Sequence, residues 1–353
     1  MNQAIDMTIN YLPAPTWNWL KMNEISVGSV AVERRGEYKA EIPEGISEEI
    51  TDYVPAEVRS GAGPDMDRLI AASGICSVRL STDADIEAPV RLDFSYEKKP
   101  SDINALELAV GKNARMTVIM NFASDDDAAG TVAVQTRYHV APGALLRLVQ
   151  VQKLGKDVTF FNDIGGVCED GGRFELIQLV LSGRQTYLGC RTELSGTSSA
   201  FTADIGYRAA AGERIDMNYV ANHTGRKGDS RINASGVLSG DAFKLFRGTI
   251  DLHRGCGGSV GNEKEDVLLL SEDAVNQTIP LILCDEEDVE GNHGASIGRP
   301  DADQLFYLAS RGIPEEEACR MMAAARIDAV SSLIPDEKTR KEVRAVLHPG
   351  EEN

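Results

Sequence analysis

His293 is the side chain with the most chemical promise. It sits in Val289-Glu290-Gly291-Asn292-His293-Gly294-Ala295-Ser296-Ile297-Gly298, with glycines on both sides. Glycine lets a backbone turn tightly and would leave the imidazole accessible. A neutral imidazole is a good ligand for iron or zinc and titrates near neutrality. The plainer alternative is a structural hydrogen bonder in a turn. His253 and Cys256 form an HxxC pair, a metal-binding spacing. A site needs more ligands, and no second local pair exists, so a structural role is expected. Asp125-Asp126-Asp127 and Asp285-Glu286-Glu287-Asp288 offer the oxygens that hard cations favour. Such runs are usually solvated turns, and that is the expectation here. Gly255-Cys256-Gly257-Gly258-Ser259-Val260-Gly261 is not GxGxxG, and no helical pattern follows it, so it reads as turn chemistry. No GxxxxGK[ST] or HExxH occurs. A P-loop nucleotidase and the HExxH metalloprotease signature are thereby excluded.

The elements that position these residues change along the chain. Residues 1–73 read as an irregular and helical segment. Both tryptophans lie there, in Thr16-Trp17-Asn18-Trp19-Leu20-Lys21-Met22-Asn23. The rings are expected to anchor this segment on the body. Pro and Gly scattered from Pro43 to Pro64 suggest loops, and Asp65-Met66-Asp67-Arg68-Leu69-Ile70 suggests the start of a short helix.

From about Ile75 to Gly298 the pattern is strand-like. Met116, Val118, Met120 and Phe122 share a face at period two. So do Val132, Val134, Tyr138 and Val140, with Thr136 between. Segments open at Gly143, Gly172, Ser199, Gly212 and Asp241, with further openings near Val158, Thr186 and Ser230. The half-period near 14 residues suggests a stacked strand solenoid with two strand-bearing sides per coil. The repeat lies in turns and polarity rather than residue identity, and a β-sandwich could show similar spacing.

After Arg299-Pro300 the pattern becomes helical. Leu305, Phe306 and Leu308 precede Gly312. Pro314 is expected at a first helical position, with Glu315, Glu316 and Glu317 complementing the helix dipole. Pro335 is expected to stop that helix. A last one runs to about Leu347 before His348-Pro349-Gly350. The expected organisation is 1–73 irregular and helical, 74–300 β-helix, and 301–353 helical. The fold class is mainly β.

Composition narrows the partners. Of 353 residues, 36 are Lys or Arg and 55 are Asp or Glu, giving a net charge of −19. That charge repels phosphate backbones and anionic lipid, so neither nucleic acid nor membrane is expected as a partner. No apolar run approaches the roughly 18–20 residues of a spanning helix. The opening stretch MNQAIDMTINYLPAP lacks the pattern of a signal peptide. The six cysteines are scattered, without CxxC, which suits a reducing cytoplasm.

The C-terminal third resembles the SufB/SufD family of iron–sulfur cluster assembly proteins. The residues that carry the likeness are Asp266-Val267-Leu268-Leu269-Leu270-Ser271, Thr278-Ile279-Pro280 and Glu287-Asp288-Val289. His293-Gly294-Ala295-Ser296-Ile297-Gly298 and Gln304-Leu305-Phe306-Tyr307-Leu308-Ala309-Ser310-Arg311-Gly312-Ile313 complete it. The tryptophan segment is similar to the N-terminal signature of shorter SufD-like members. The resemblance implies a parallel β-helix flanked by helical regions. It implies a non-catalytic scaffold that pairs with a SufB-like homologous subunit. It also implies a SufC-type ABC ATPase partner that supplies nucleotide hydrolysis. SufB-type chains carry a functional cysteine shortly before the Thr-Ile-Pro element. Ala274 stands at the matching position here, which favours SufD. The family's histidine before Gly-Ala matches His293, the implied ligand of a transient cluster. Many relatives carry a cysteine two residues earlier, where this chain has Gly291. Leu305, Phe306, Tyr307, Arg311, Gly312 and Met321 lie where the family docks SufC, although Leu305 and Phe306 could equally be core. No tightly bound cofactor is expected in the isolated chain. A flavin in the complex, a homodimer of the isolated chain, and a SufB-like scaffold working with SufC alone stay open. So does a solenoid enzyme acting on acidic polysaccharide, which needs paired carboxylates in an open groove.

Overall fold

The computed structural model describes residues 4–54 and 58–348. Pro55, within the stretch read as loops, and the closing Pro349-Gly350 lie outside the described residues. So do residues 1–3 and 351–353.

Two parallel sheets face each other and are wound by one chain, which settles the solenoid against the sandwich. The first sheet runs through Cys76–Thr82, Ser101–Val110, Ala129–Val140, Asp157–Cys168, Gln185–Leu194, Arg214–His223, Phe243–Leu252 and Val275–Cys284. The second runs through Val90–Tyr96, Arg115–Ser124, Leu145–Lys153, Arg173–Ser182, Ala200–Ala209, Asp229–Leu238, Ser259–Leu269 and Val289–Gly298. Each coil contributes one strand to each sheet. Val132 pairs with Phe160 and Gln185 with Arg214, giving 28 and 29 residues per coil. Strands therefore open within two residues of the turns read from sequence.

Alternation along each strand sends one face inward. Met116, Val118, Met120 and Phe122 are buried between the sheets, as are Val132, Val134, Tyr138 and Val140. Aromatic rings stack from coil to coil. Phe94 and Phe122 lie 4.9 Å apart, and Tyr138 and Phe174 lie 4.0 Å apart. Each such ring contributes roughly 1.5–3 kcal/mol through burial.

The outer faces are covered too. On the first sheet lie a hairpin of Ile5–Ile9 with Ile25–Val30 and helix α1, Pro64–Ser73. Met7, Ile9, Met66, Leu69 and Ile70 pack on Ile103, Ala105, Ala133, Phe161 and Tyr187. Three more helices follow the last coil: α2 (Ala302–Ser310), α3 (Glu315–Ser331) and α4 (Glu337–Leu347). Ile327, Val330, Ile334, Val343 and Leu347 pack on Ile119, Val149, Ile177 and Leu179 outside the second sheet. Arg91 of the first coil fastens α4, donating to Glu342 at 2.6 Å and to Thr339 at 3.1 Å.

Three expectations are corrected. The N-terminal segment is not merely irregular and helical. It contains the hairpin, the short strand Arg34–Arg35, and two strands that close the solenoid's first end. Tyr38–Glu41 pairs antiparallel with Val90–Tyr96, and Ser47–Asp52 with Cys76–Thr82. Their partners are distant in sequence, so local periodicity does not announce them. Pro314 caps α3 rather than opening it, and that helix ends at Ser331, ahead of Pro335. The tryptophans anchor nothing: Trp19 is 94% exposed and Trp17 is 40% exposed. Leu12 and Met22 on either side do the packing, against Leu245 and Ile279.

Towards the last coil the core becomes polar. Lys244 faces inward, fully buried, and is ion-paired with Glu265. Its Nζ also donates to Thr278 Oγ1 at 3.0 Å and to Gln277 O at 3.2 Å. Thr278 and Tyr207 donate to the same Glu265 carboxylate, at 2.6 and 3.2 Å. Burial pulls Lys244 down to about 8, against the opposing pull of Glu265. Glu263, two residues away, has no such cation. Burial, reinforced by the Glu265 carboxylate, pushes it up to about 8. Gly248 leaves room opposite, where a β-carbon would overlap the Glu263 carboxyl group as it lies.

Folded Glu263 thus holds its proton where an unfolded glutamate, with its ordinary value of 4.5, has lost it. The folded state binds more protons between those values, so stability falls as pH rises through that window. Each pH unit costs up to about 1.4 kcal/mol from this group. Below pH 6.5 buried His223, held down to about 4, opposes this trend, because there the unfolded state binds the extra proton. Melting curves from pH 6.5 to 8 should show a falling Tm, and Glu263→Gln should flatten the fall. An equal pH slope in both proteins would contradict this assignment.

Candidate functional site at the open end of the solenoid

The two ends of the solenoid differ. The first is closed by short strands rich in charge: Tyr38-Lys39-Ala40-Glu41, and Ser47–Asp52 with Glu48 and Glu49. Short, charged strands blunt an edge against further pairing. The other end stops at Val275–Cys284 and Val289–Gly298, each ten residues long and each last in its sheet. Among the described residues, nothing pairs with their outer edges.

The edge of Val275–Cys284 has a definite polarity. Val275 N donates to Ala242 O and Asp285 N to Leu252 O, both at 2.8 Å. Odd-numbered residues therefore point their N–H to the preceding coil. By alternation, Asn276, Thr278, Ile282 and Cys284 point theirs outward. Pro280 falls in this outward set, where its missing N–H costs no internal bond.

His293 is not in a tight turn, as the flanking glycines suggested. It lies mid-strand in Val289–Gly298, in register with Glu263. The segment is extended because its backbone is bonded to Ser259–Leu269 along the whole length. A β-carbon at Gly291 would meet Ile282 at 2.9 Å and Leu252 at 3.7 Å, so Gly291 faces inward. His293, two residues on, shares that face. No further coil covers it, so the imidazole is exposed. Neutral, it offers one lone pair to a metal.

Other residues singled out from sequence do not join it. His253 lies on the outer side of the first sheet, 2.8 Å from Asn222 and 3.2 Å from Asp251. It lines a cleft of about 730 Å³ with Arg191, beside the N-terminal segment. Cys256 is fully buried against Ile250 and Leu252. The two side chains of the HxxC pair therefore face different surroundings. Asp125–Asp127 and Asp285–Asp288 lie in loops between strands. Among the described residues, no three His, Cys, Asp or Glu side chains are grouped as a metal site. Ala274 packs against the solenoid core at the start of the last coil.

The docking candidates sit on α2, on the turn after it and near the start of α3. Helix α2 buries none of its residues. Phe306 is 77% exposed, Tyr307 57% and Met321 51%, whereas Leu305 is half-buried. Phe306 is not core. The Arg311 guanidinium lies 5.2 Å from the Tyr307 ring centre, and Gly312 follows with φ of +86°. Sequence reasoning missed Lys244, Glu263 and Glu265. Their signal was available, since charged residues at inward positions of period-two strands contradict an apolar core.

Among the described residues, no helix is long and apolar enough to cross a membrane. The family described as SUF system FeS cluster assembly, SufBD core domain, matches residues 95–326. The iron–sulfur cluster assembly protein SufD of Bacillus subtilis is 36% identical over 125 residues, covering 35% of this chain and 29% of that protein. SufD of Escherichia coli is 27% identical over 242 residues, covering 68% and 56%. SufB of B. subtilis is 26% identical over 200 residues, covering 56% and 43%. The alignments thus span less than two thirds of each of these relatives. The family match runs from the first coil into α3 and includes the open end, so the chain belongs to the SufB/SufD family of iron–sulfur cluster assembly proteins.

Proposed function

We propose that this chain is a SufD-like scaffold without catalysis of its own. In this reading it works in the cytoplasm and pairs with a SufB-like subunit through its terminal coil. It presents α2 and the start of α3 to a SufC-type ABC ATPase. The observation that carries the reading is the open end: two uncovered ten-residue strand edges with an exposed histidine between them. Long uncovered edges template strand addition. The N-terminal segment and the C-terminal helices cover much of the strand faces that a polysaccharide would need, which weighs against the solenoid enzyme.

The iron–sulfur cluster is cargo. His293 would give it one imidazole ligand, and the partner subunit would supply the thiolates that Gly291 does not. Substituting His293→Ala should leave the fold intact, because the side chain is exposed. It should lower the cluster yield of the assembled complex by about tenfold or more, the scale of a lost metal contact. Unchanged yield would remove His293 from the site.

Helix α2 supports the ATPase assignment because it is apolar and yet unburied, and exposed Tyr and Arg dominate interface hot spots. Tyr307→Ala with Arg311→Ala should weaken capture of the ATPase by roughly thirtyfold, a loss of about 2 kcal/mol. Pairing with the SufB-like subunit should persist. Full ATPase recovery would place the docking surface elsewhere. Recovery of the ATPase with no second scaffold, from the unaltered chain, would favour the two-component system.

A further inference from the structure

The exposed tryptophans have a fixed position. Residues Asn18–Leu20 form one 3₁₀ turn closed by Lys21 in the left-handed conformation. Leu20 N and Met22 N both donate to Trp17 O, at 3.2 and 3.4 Å. Asn23 Oδ1 accepts from Trp17 N at 2.7 Å, and the Asn23 amide also binds Asn18. The knuckle is then locked to the solenoid. Arg247, fully buried, donates to Met22 O at 2.7 Å and to Asp216 at 2.6 Å, and Asn10 binds the same carboxylate at 2.8 Å. Met22 and Leu12 pack on Ile279, which lies on the last strand of the first sheet.

The knuckle thus rides on the outer face of the edge strand. A strand added to that edge would lie about 4.8 Å beyond it, within reach of a side chain as long as tryptophan. Val275, at the start of the edge strand, is also 42% exposed. An exposed tryptophan on a backbone held in place is the kind of group that anchors an interface.

We infer that the Trp17–Leu20 knuckle is a clamp for the partner solenoid, gripping apolar side chains on the outer face of the strand that extends the first sheet. This rests on the reading that the terminal coil pairs with a SufB-like subunit. A second copy of this chain is the poorer occupant. Each copy carries a net charge of −19, and the turn joining the two edge strands holds Asp285, Glu286, Glu287 and Asp288. Homotypic pairing would bring two such acidic ends together, which disfavours it relative to a less acidic solenoid.

The chain's only two tryptophans, Trp17 and Trp19, are both in the knuckle, so they serve as a probe. The full chain is labelled with 5-fluorotryptophan and mixed with the unlabelled SufB-type subunit of the same genome. Trp17→Phe and Trp19→Phe assign the two fluorine resonances. On complex formation the Trp19 resonance should move and lose its sensitivity to exchange of H₂O for D₂O. Trp19→Ala with Leu20→Ala should weaken the complex at least tenfold. A second variant, Asn276→Pro with Cys284→Pro, removes outward N–H groups from the edge without breaking an internal ladder bond, and should prevent pairing. If the proline variant fails to pair but the knuckle variant pairs normally and the resonance stays fixed, the clamp is wrong and edge pairing stands. If the proline variant pairs normally, edge pairing itself fails and the clamp with it. A Trp19 shift that appears only with the ATPase, or only as the chain alone is concentrated, also overturns the clamp.

Discussion

Every strand of a parallel solenoid must be bonded to the coil before it and the coil after it. This in-register ladder fixes almost everything else in the molecule. Val132 meets Phe160 and Ser259 meets Val289 because each coil returns with nearly the same length. Inward side chains then stack on inward side chains. The ladder cannot satisfy its own last coil, however. At the first end, two short charged strands close it. At the second end, Val275–Cys284 and Val289–Gly298 keep uncovered edges, and the core beneath them turns from phenylalanines to Lys244, Glu263 and Glu265. A closed pair of charges and a neutral acid tolerate nearby water better than an apolar core would.

The coverings on the outer faces sharpen that asymmetry. The N-terminal hairpin and α1 bury one outer face, and α3 with α4 bury the other. Exposed apolar side chains gather on the tryptophan knuckle, the edge strands, and α2 with the start of α3, although Ile50 and Val54 near the first end and Leu333 after α3 are exposed as well. A scaffold that joins two other proteins requires this kind of division, with one surface for strand addition and another for helix docking.

Much of this was legible in the sequence where the physics is local. Period-two alternation marked the coils, and turn spacing gave their length. The change from alternation to helical spacing after Pro300 marked the C-terminal helices. What was not legible depends on distant partners. Tyr38–Glu41 and Ser47–Asp52 are strands only because the first coil offers them an edge. Trp17 and Trp19 were expected to be buried because large apolar rings usually are, yet the chain holds them outward. His293 was read into a turn because its glycines favour one, whereas pairing with Ser259–Leu269 makes the segment extended. Its position on a family-like motif was readable. Its place on the inward face of an uncapped coil was not.

The central claim is that the uncovered edge of the terminal coil is the surface that receives a second solenoid. Residue-resolved hydrogen exchange, on the chain alone and with the SufB-type subunit, tests it most directly. The outward amides Asn276, Thr278, Ile282 and Cys284 should exchange fast in the free chain and slow sharply in the complex. The inward-bonded amides Gln277, Ile279 and Leu281 should already be slow. A complex that forms while the four outward amides stay fast would contradict the account.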